Sequence, residues 1–327
     1  MYRSLLVPLD GSSLSEHALP FASAIARRSG AQLRLAHVHV PYTANPIFVE
    51  GMPVVDEALH SLRREHERAY LERLSARLVV EASIATTASI LEPLGAGTHA
   101  ESIADTISRH ATAIGADLIV VTTHGRGGMA RFWLGSVTDA LIHVSTVPLL
   151  LIPSPDGAPD FRHLTPFRQI LIPLDGAVLA EHILEHALAL GAVMPATYTL
   201  LRVVKPVTLL HPAPFTTPTD LDPDATMQHQ TEAQHYLQTI ATRLQPDVLD
   251  VRTQVVVAQQ PAAAILEQIR ERQIDLVAIA THGQSGLARL LLGSVADKVI
   301  RSTEIPVLLY RPRAYTAHPP PVSAVRS

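Results

Sequence analysis

The sequence predicts two tandem α/β domains, each built on a doubly wound parallel sheet. The first observation is an internal repeat, because LLVPLDG at residues 5–11 returns as ILIPLDG at residues 170–176. A longer segment, residues 123–152, aligns without a gap on residues 281–310 with 15 of 30 positions identical. A period of about 160 residues corresponds to a whole domain and not to a solenoid unit. In each copy, apolar runs alternate five times with longer helical patterns, which is typical of parallel sheets covered on both faces.

The predicted elements follow the same order in both copies. In the first copy we predict strands at residues 4–9, 32–40, 83–90, 117–123 and 147–152, and helices at residues 13–29, 56–79, 99–114 and 136–144. In the second copy we predict strands near residues 169–174, 198–204, 251–257, 275–280 and 305–310. In a sheet of order 3-2-1-4-5 the last strand lies at an edge. Uncovered apolar edge strands favour association, so we expect the two copies to pair through residues 147–152 and 305–310.

The boundaries are predicted from composition. The first domain is assigned to residues 1–153 and the second to residues 168–312. Between them, residues 154–167 (SPDGAPDFRHLTPF) have the Pro, Gly and Asp content of a linker. The Pro-rich residues 313–327 are expected to be disordered. Two further segments, residues 41–57 and 205–224, are long, contain Pro and differ between the copies, so they are expected to carry copy-specific function or lids.

Composition excludes several classes of function. The net charge is -4 and each half, counted before and after Pro153, has two more acidic than basic residues, which disfavours a nucleic-acid partner. Cysteine is absent, which excludes disulfides, catalytic thiols and Cys-based metal sites and fits a reducing cytoplasm. No apolar run approaches the roughly 18 residues of a membrane span, and the opening residues are too short and too soon broken for a signal peptide. We therefore expect a soluble cytoplasmic protein with no membrane partner.

The shared motifs fall where parallel sheets bind ligands, at the carboxyl ends of strands next to the reversal of strand order. Asp10-Gly11 and Asp175-Gly176 follow the first strand of each copy, and THG at residues 123–125 and 281–283 follows the fourth. In the first copy a glycine-bearing loop then returns to Gly135-Ser136 at the start of a helix. Glycines allow backbone N–H groups close to a ligand, and a helix N-terminus adds donors and partial positive charge. The arrangement favours an anion such as phosphate.

The run THG-x9-GS in both halves, with an LDG turn after the first strand and Pro before the last, resembles the universal stress protein family in its tandem two-domain form. The resemblance implies two flavodoxin-like domains of the adenine nucleotide alpha hydrolase-like type. It also implies a nucleotide-binding signature, G-x2-G-x9-G-[ST]. Its second glycine falls on Gly125 and Gly283, and its G-[ST] pair on Gly135-Ser136 and Gly293-Ser294. The first glycine is replaced by Thr122 and Ala280, and a β-branched Thr restricts the backbone.

By the same resemblance, Asp10 with Val38, and Asp175 with Val203, flank the adenine and ribose. The ligand implied is ATP, with a divalent ion such as Mg²⁺ bridging the phosphates. No catalytic residue and no protein metal ligand is assigned. The candidate nucleotide-binding residues are Asp10, Val38, Thr122, His124, Gly125, Arg126, Gly128, Gly135, Ser136, Val137, Asp175, Val203, Ala280, His282, Gly283, Gly286, Gly293, Ser294 and Val295.

Structural interpretations of these residues stay open. The two Asp-Gly pairs fit turn chemistry or helix capping, and Ser136 and Ser294 lie where an N-cap is expected whatever binds there. His124 and His282 fit hydrogen bonding within the loop, and Val38 and Val203 fit an ordinary core. Elsewhere, His182 and His186 have the i, i+4 spacing of metal ligands but lack the HExxH order, so we interpret them as a solvated face. Walker A and GxSxG motifs are absent from the sequence.

The sequence is therefore interpreted as a tandem universal stress protein that binds ATP in each domain and acts as a nucleotide-responsive stress regulator. The alternatives are a slow adenine-nucleotide hydrolase or adenylate transferase, and a dimerisation module without ligand. Partners are expected to be an adenine nucleotide, the other domain of the same chain and a second copy in a homodimer. We expect tighter binding in the first copy, because Arg126 is replaced by Gln284 in the second and hydrogen bonds to charged groups contribute about 1.5–3 kcal/mol.

Overall fold

The computed structural model describes residues 2–40, 47–49, 52–54, 57–93, 100–123, 134–154, 157–161, 167–208, 221–245, 250–281 and 292–312. The first half contains β1 (Ser4–Leu9), α1 (Ala18–Ser29), β2 (Gln32–Val38), β3 (Ile47–Val49), β4 (Met52–Val54), α2 (Glu57–Ala82), β5 (Thr86–Leu91), α3 (Ala100–Ala113), β6 (Leu118–Thr122), α4 (Ser136–Val144) and β7 (Leu149–Ile152). The second half contains β8 (Gln169–Pro173), α5 (Val178–Glu181), α6 (Ile183–Val193), β9 (Thr197–Val204), β10 (Val207–Thr208), β11 (Leu221–Asp222), α7 (Pro223–Leu244), β12 (Val251–Val257), α8 (Pro261–Glu271), β13 (Leu276–Ala280), α9 (Ser294–Ser302) and β14 (Val307–Tyr310).

Ten of the described strands form one continuous sheet, in the order β5-β2-β1-β6-β7-β14-β13-β8-β9-β12. Within each half the strands are parallel and follow the order 3-2-1-4-5. The predicted fold class, two tandem doubly wound α/β domains, is therefore confirmed. The strand order reverses between β1 and β6, and again between β8 and β13, which are the positions where such sheets bind ligands.

The halves meet at β7 and β14, which pair antiparallel with Leu150 opposite Leu308. Both of these side chains are fully buried, so the apolar edge of each half covers the edge of the other. On the helices beside this seam, Arg301 Nη2 lies 2.8 Å from Asp139 Oδ1 in the other half. The predicted pairing of the last strands is confirmed within the chain.

Both faces of the sheet are covered by helices, which explains the unbroken apolar strands. In β1, Leu5 and Val7 belong to a core shared with α1 and α2, whereas Leu6 belongs to a core shared with α3 and α4. Each of these cores extends across the seam into the second half. The two faces are called below the α1/α2 face and the α3/α4 face.

Pairs of equivalent residues stabilise both halves in the same way. At the amino edge, Asp117 Oδ2 accepts hydrogen bonds from the backbone N–H groups of Arg3 and Ser4 at 2.6 and 2.9 Å. Asp275 Oδ2 accepts the equivalent hydrogen bonds from Arg168 and Gln169 at 2.8 and 2.9 Å. The sheet is thus fixed at the same point in each copy.

A duplicated set of side chains also fixes the long helices. The Tyr70 hydroxyl donates to Glu16 at 3.1 Å, and Arg77 lies 3.7 Å from the same carboxylate. In the second half, the Tyr236 hydroxyl donates to Glu181 at 3.2 Å and Arg243 lies 2.6 Å from that carboxylate. Each residue of the second set follows its counterpart in the first set by 165 or 166 residues. A residue of α2 therefore corresponds to the residue of α7 that lies 166 positions later.

Several predicted boundaries differ from the structure. The helix predicted from residue 13 begins at Ala18 after a 3-10 turn over Ser15–His17. Before this turn, the Ser12 hydroxyl accepts from the Ser15 N–H and the Ser15 hydroxyl donates to the Ser12 carbonyl, which favours a turn over a helix. The strand predicted from Ser83 begins at Thr86, since Ser83 has a left-handed φ of 53°. In the divergent segments, the described residues form short antiparallel ladders, β3 with β4 and β10 with β11, outside the main sheet.

The described part of the linker packs against the first half. Phe161 and Phe167 are buried, Phe167 stacks on Phe21 with ring centroids 5.8 Å apart, and the Arg77 guanidinium lies 4.2 Å above the Phe161 ring. Composition marks this segment as a linker, but its two aromatic side chains anchor it. The predicted disordered tail lies outside the described residues. Among the described helices, none combines the length and apolar character needed to cross a bilayer.

Candidate functional site

The candidate site lies at the carboxyl edge of each half, where the strand order reverses. In the first half β1 and β6 are adjacent and parallel, so the turn at Asp10 and the end of β6 at Thr122 lie on the same edge. In the second half β8 and β13 place Asp175 and Ala280 in the same way. The topology thus brings together the turn and the strand end that the sequence places apart.

The turns after β1 and β8 are built by their aspartates. Asp10 Oδ1 accepts from the Ser12 N–H at 2.9 Å and from the Ser12 hydroxyl at 2.6 Å, and Gly11 has a left-handed φ of 82°. Asp175 Oδ1 accepts from the Ala177 N–H at 2.9 Å, beside Gly176 at φ 86°. The turn interpretation of both Asp-Gly pairs is confirmed, and their contact with a ligand stays a prediction. Only the first turn has the additional hydroxyl.

The helices after the glycine loops begin against the ends of the strands. The Gly293 N–H donates to the Thr281 carbonyl at 2.8 Å, and a β-carbon at Gly293 would lie only 2.8 Å from that same oxygen. In the first half the Gly135 N–H donates to the Thr123 carbonyl at 2.5 Å. A side chain at residue 293 would therefore displace the backbone, and the glycine holds the N-terminus of α9 close to the edge.

The predicted N-cap positions are shifted by one residue. Gly135 and Gly293 are the N-caps of α4 and α9, with extended ψ angles of 142° and 138°. Ser136 and Ser294 are the first helical residues and are exposed. An N-cap residue needs non-helical dihedrals, which the glycines supply. The serine side chains are therefore available at the edge instead of closing the helix.

The other described candidates line the α3/α4 face near the edge. Thr122 is buried at the end of β6, and its carbonyl accepts from the Thr138 hydroxyl at 2.8 Å. In the second half the equivalent residues are Ala280, also buried, and Ala296. The four candidate valines all pack against the core of the α3/α4 face. Val38 is buried and the other three, Val137, Val203 and Val295, are partly buried. Thr122 is accommodated as the last residue of a strand, where a β-branched side chain is favourable, and its contact with a ligand stays a prediction.

The middle of each glycine loop lies outside the described residues. These candidates are His124, Gly125, Arg126, Gly128, His282, Gly283 and Gly286. Their roles stay predictions from the sequence. The two ends of each loop, at the strand and at the helix, are described.

One residue at the second edge was missed by the sequence prediction. Arg202 lies in β9 beside the turn after β8, and a β-carbon at Gly176 would overlap its guanidinium. The guanidinium lies 5.1 Å from the centre of the Tyr236 ring. At the equivalent position of the first half, His37 Nδ1 lies 2.9 Å from the Leu9 carbonyl. The signal was present, because His37 and Arg202 directly precede the candidate valines Val38 and Val203 at the same spacing.

His186 does not lie on the solvated face that we predicted for His182 and His186. The His186 ring packs against the Tyr310 ring with centroids 4.1 Å apart, and burial lowers the pKa of His186. Its neighbour across the halves is Tyr2, whose hydroxyl donates to the His186 carbonyl at 3.4 Å. His186 therefore contributes to the packing between the halves. Within the described ranges, no three metal-ligating side chains converge on one point.

Comparison with known proteins agrees with this architecture. The sequence profile of the universal stress protein family matches residues 1–153 and 166–311. A universal stress protein from Mycolicibacterium smegmatis is 28% identical over 315 residues, covering 94% of this chain and 97% of the relative. One from Mycobacterium tuberculosis is 30% identical over 203 residues, covering 60% of this chain and 62% of the relative.

Among solved structures, the crystal structure of a universal stress protein from Archaeoglobus fulgidus superposes with a TM-score of 0.62 at 19% identity. The superposition covers 94% of this chain and 96% of that protein. The likeness shows that both halves of the fold, and not one of them, are shared with that structure. Because the family profile matches both copies of the repeat and together nearly the whole sequence, the chain belongs to the universal stress protein family.

Proposed function

We propose that the chain binds an adenine nucleotide, ATP with Mg²⁺, at the carboxyl edge of each half and acts as a nucleotide-responsive stress regulator in the cytoplasm. The observation that carries this proposal is the position of Gly293, whose N–H bonds the Thr281 carbonyl at 2.8 Å where a β-carbon would not fit. It holds a helix N-terminus, with its N–H groups and partial positive charge, at the edge where the strand order reverses. Gly135 occupies the equivalent position in the first half.

The chemistry of the edge fits a phosphate group. Backbone N–H groups at the starts of α4 and α9 would bind phosphate oxygens, and the exposed hydroxyls of Ser136 and Ser294 would donate to them. Oδ1 of both Asp10 and Asp175 is engaged in the turn. A magnesium ion would therefore be held mainly by phosphate oxygens and water, with these carboxylates nearby. Mg²⁺ ordinarily keeps several waters in such sites, so the donor set is adequate.

A regulatory role, rather than rapid turnover, is supported by the engagement of these carboxylates. Each holds the backbone of its own turn, so using it as a general base would loosen the site that it builds. Ligand binding between a helix N-terminus and the turn would order the edge and change the surface there. Hydrolysis is expected to be far below the roughly 10 per second of a typical enzyme.

The proposal is tested on nucleotide released from the purified protein by denaturation and identified by mass spectrometry. We expect ATP or ADP. On protein confirmed free of nucleotide, ATP with Mg²⁺ at a hundredfold excess over its dissociation constant should stabilise the fold by about 2.7 kcal/mol for each site that it fills, and GTP should stabilise it less. An unchanged melting temperature at millimolar ATP would contradict the proposal and favour the dimerisation module. Rapid hydrolysis would favour the enzyme alternative.

A further inference from the structure

Four polar side chains form a connected cluster on the α1/α2 face, at the carboxyl end of β2. His37 Nε2 lies 3.4 Å from Glu67 Oε1, and His39 Nδ1 lies 2.8 Å from Glu67 Oε2. His39 Nε2 in turn lies 3.3 Å from His60 Nδ1. The cluster is named here the histidine cluster. It connects the strand end to α2, which carries both Glu67 and His60.

Most of this cluster is buried, unlike an ion pair on the protein surface. His39 is 1% exposed, and the side chains of His37 and Glu67 are each 12% exposed. His60 is half-buried at the outer end. A buried imidazole needs both ring nitrogens satisfied, and both nitrogens of His39 have partners in this cluster.

The Glu67 carboxylate decides how His39 presents its nitrogens. An ionised carboxylate only accepts hydrogen bonds, so His39 Nδ1 carries the proton that it donates to Glu67. In the neutral ring Nε2 then bears a lone pair, directed at His60 Nδ1. A carboxylate behind a histidine is the arrangement that orients and strengthens histidine ligands in zinc sites.

The spacing of the two facing nitrogens matches a metal ion better than a hydrogen bond. Two nitrogens at about 2.0–2.1 Å from a tetrahedral Zn²⁺ lie about 3.3–3.4 Å apart, and His39 Nε2 and His60 Nδ1 are 3.3 Å apart. Hydrogen bonds donated by N–H groups have heavy-atom distances centred near 2.9–3.0 Å. The two rings are inclined at 66° to one another with centroids 5.4 Å apart, so they meet edge to face and do not stack.

The cluster is specific to the first half. In the register given by the duplicated Tyr-Glu-Arg sets, its four positions are occupied in the second half by side chains that cannot form it: Arg202, Val204, Thr226 and Ala233. Packing beneath the strand end therefore does not require the cluster, because the second half keeps the same helix and strand without it. All four positions differ between the halves, so the cluster is a property of the first half alone.

We infer that His39 and His60 bind a borderline transition-metal cation, Zn²⁺ being the simplest case, with Glu67 as the carboxylate that orients His39. No three protein ligands converge in the described part of the chain, so water or a small ligand completes the coordination. Affinity is expected to be lower than in structural zinc sites with four protein ligands. The site is separate from the proposed nucleotide site, which faces α3 and α4.

The test is calorimetric titration of zinc chloride into the full-length protein, freed of nucleotide and metal. We expect one binding event that is lost in His60→Gln, which changes a half-buried side chain, and in His39→Gln. Glu67→Gln should weaken it by about 10-fold to 100-fold. His66→Gln is the matched control, because His66 is exposed on the same helix, and it should leave the event unchanged.

The outcome separates a bound metal from a shared proton. Co²⁺ should give the visible absorption of a nitrogen-coordinated ion in the wild type and in His66→Gln, and not in His60→Gln. Circular dichroism of His60→Gln verifies that the fold is retained. If His60→Gln binds zinc as tightly as the wild type, or if the wild type shows no event beyond that of His60→Gln, then His60 donates a proton to His39 and the inference is wrong.

Discussion

The two halves of the chain share the contacts that hold the sheet together and differ at its carboxyl edge. The Asp117 and Asp275 caps and the Tyr70 and Tyr236 hydrogen bonds are duplicated with nearly equal distances. Beside the candidate site, the first half has the histidine cluster and the second has Arg202. The Asp-Gly turns and the glycines that start α4 and α9 are also present in both halves, so the difference lies in the side chains beside the edge. A shared fold therefore does not imply equivalent sites.

The charge at the two edges differs accordingly. Arg202 brings a permanently positive guanidinium beside the turn at Gly176, whereas His37 at the equivalent position is engaged with Leu9 and Glu67. Arg126 was the reason to expect tighter binding in the first half, and Arg202 beside Gly176 gives the second half a positive charge that the sequence prediction did not include. We therefore expect the two affinities for ATP to differ by less than about tenfold, or 1.4 kcal/mol.

The largest expected effect concerns the seam that unites the halves. Leu308→Ala should lower the free energy of unfolding by about 2–5 kcal/mol, because a fully buried leucine is replaced at the β7–β14 ladder. Leu150→Ala, its partner in the other half, should cost a similar amount. Urea denaturation followed by circular dichroism measures both. A single cooperative transition is expected in the wild type, and two separate transitions would show that the halves unfold independently.

A middle-sized effect concerns a pair of core residues on the α1/α2 face, in which a small residue of one half is matched by a large neighbour. A β-carbon at Gly191 would overlap the Tyr198 hydroxyl, whereas the equivalent pair in the first half is Ala26 with Leu33, both buried. Gly191→Ala should therefore cost about 1–3 kcal/mol through overpacking. Adding Tyr198→Leu should recover most of that loss.

The double-mutant cycle gives the coupling between these positions, expected at about 0.5–3 kcal/mol. Ala26→Gly is the matched control in the first half, and it should cost about 1 kcal/mol of helix propensity and about 0.8 kcal/mol for the buried methyl group that it removes. If Gly191→Ala is neutral without the second substitution, the two cores tolerate the same side chains and the comparison fails.

The smallest effect concerns the difference between the duplicated tyrosines. Tyr70→Phe and Tyr236→Phe each remove one hydrogen bond to a glutamate carboxylate and should each cost about 1.5–3 kcal/mol, because the acceptor is charged. The two costs should agree within about 0.5 kcal/mol if the sets are equivalent. This limit is the error within which free-energy changes at independent sites usually add. Chemical denaturation of the two variants at pH 8 measures the difference, and a clearly unequal pair would show that the sets have diverged.

The same variants have a defined pH dependence. Burial, followed by the partner glutamate, raises the pKa of Tyr70 and of Tyr236, and burial raises the pKa of Tyr198 to about 12. Because the raised pKa favours the neutral phenol in the folded state, this stabilisation is complete below about pH 10, the unfolded value, and is lost as pH rises through the folded values. Between pH 10 and pH 12, the free energy of unfolding of Tyr70→Phe and of Tyr236→Phe should therefore fall less with rising pH than that of the wild type.

Much of the fold was predictable because its signals are local. An apolar run predicted β12 with its observed bounds, Val251–Val257. The glycine-serine pair predicted α4 with its observed bounds, Ser136–Val144. The pairing of the two last strands was predictable from their apolar edges, whereas its antiparallel direction was not predicted. The α1 start was predicted too early, because serine side chains compete for the backbone after Asp10.

The rest of the site depends on contacts that no local pattern contains. His39 and His60 are 21 residues apart and meet only when α2 packs on β2. Arg202 becomes part of the edge because Gly176 leaves room for its guanidinium. Phe161 and Phe167 anchor the linker through rings on the first half. Such pairings can be predicted only when the tertiary arrangement is known. The aspartate turns and the helix-starting glycines could be predicted from the sequence repeat alone.

The central claim is that each half holds its own nucleotide site at the carboxyl edge. Calorimetric titration of ATP with Mg²⁺ into nucleotide-free protein tests it, with Gly135→Val and Gly293→Val as matched variants that displace the start of one helix each. The account predicts two sites per chain in the wild type and one in each variant, with thermal melts showing that both variants stay folded. No binding in the wild type, or an unchanged stoichiometry of two in a folded Gly293→Val variant, would contradict it.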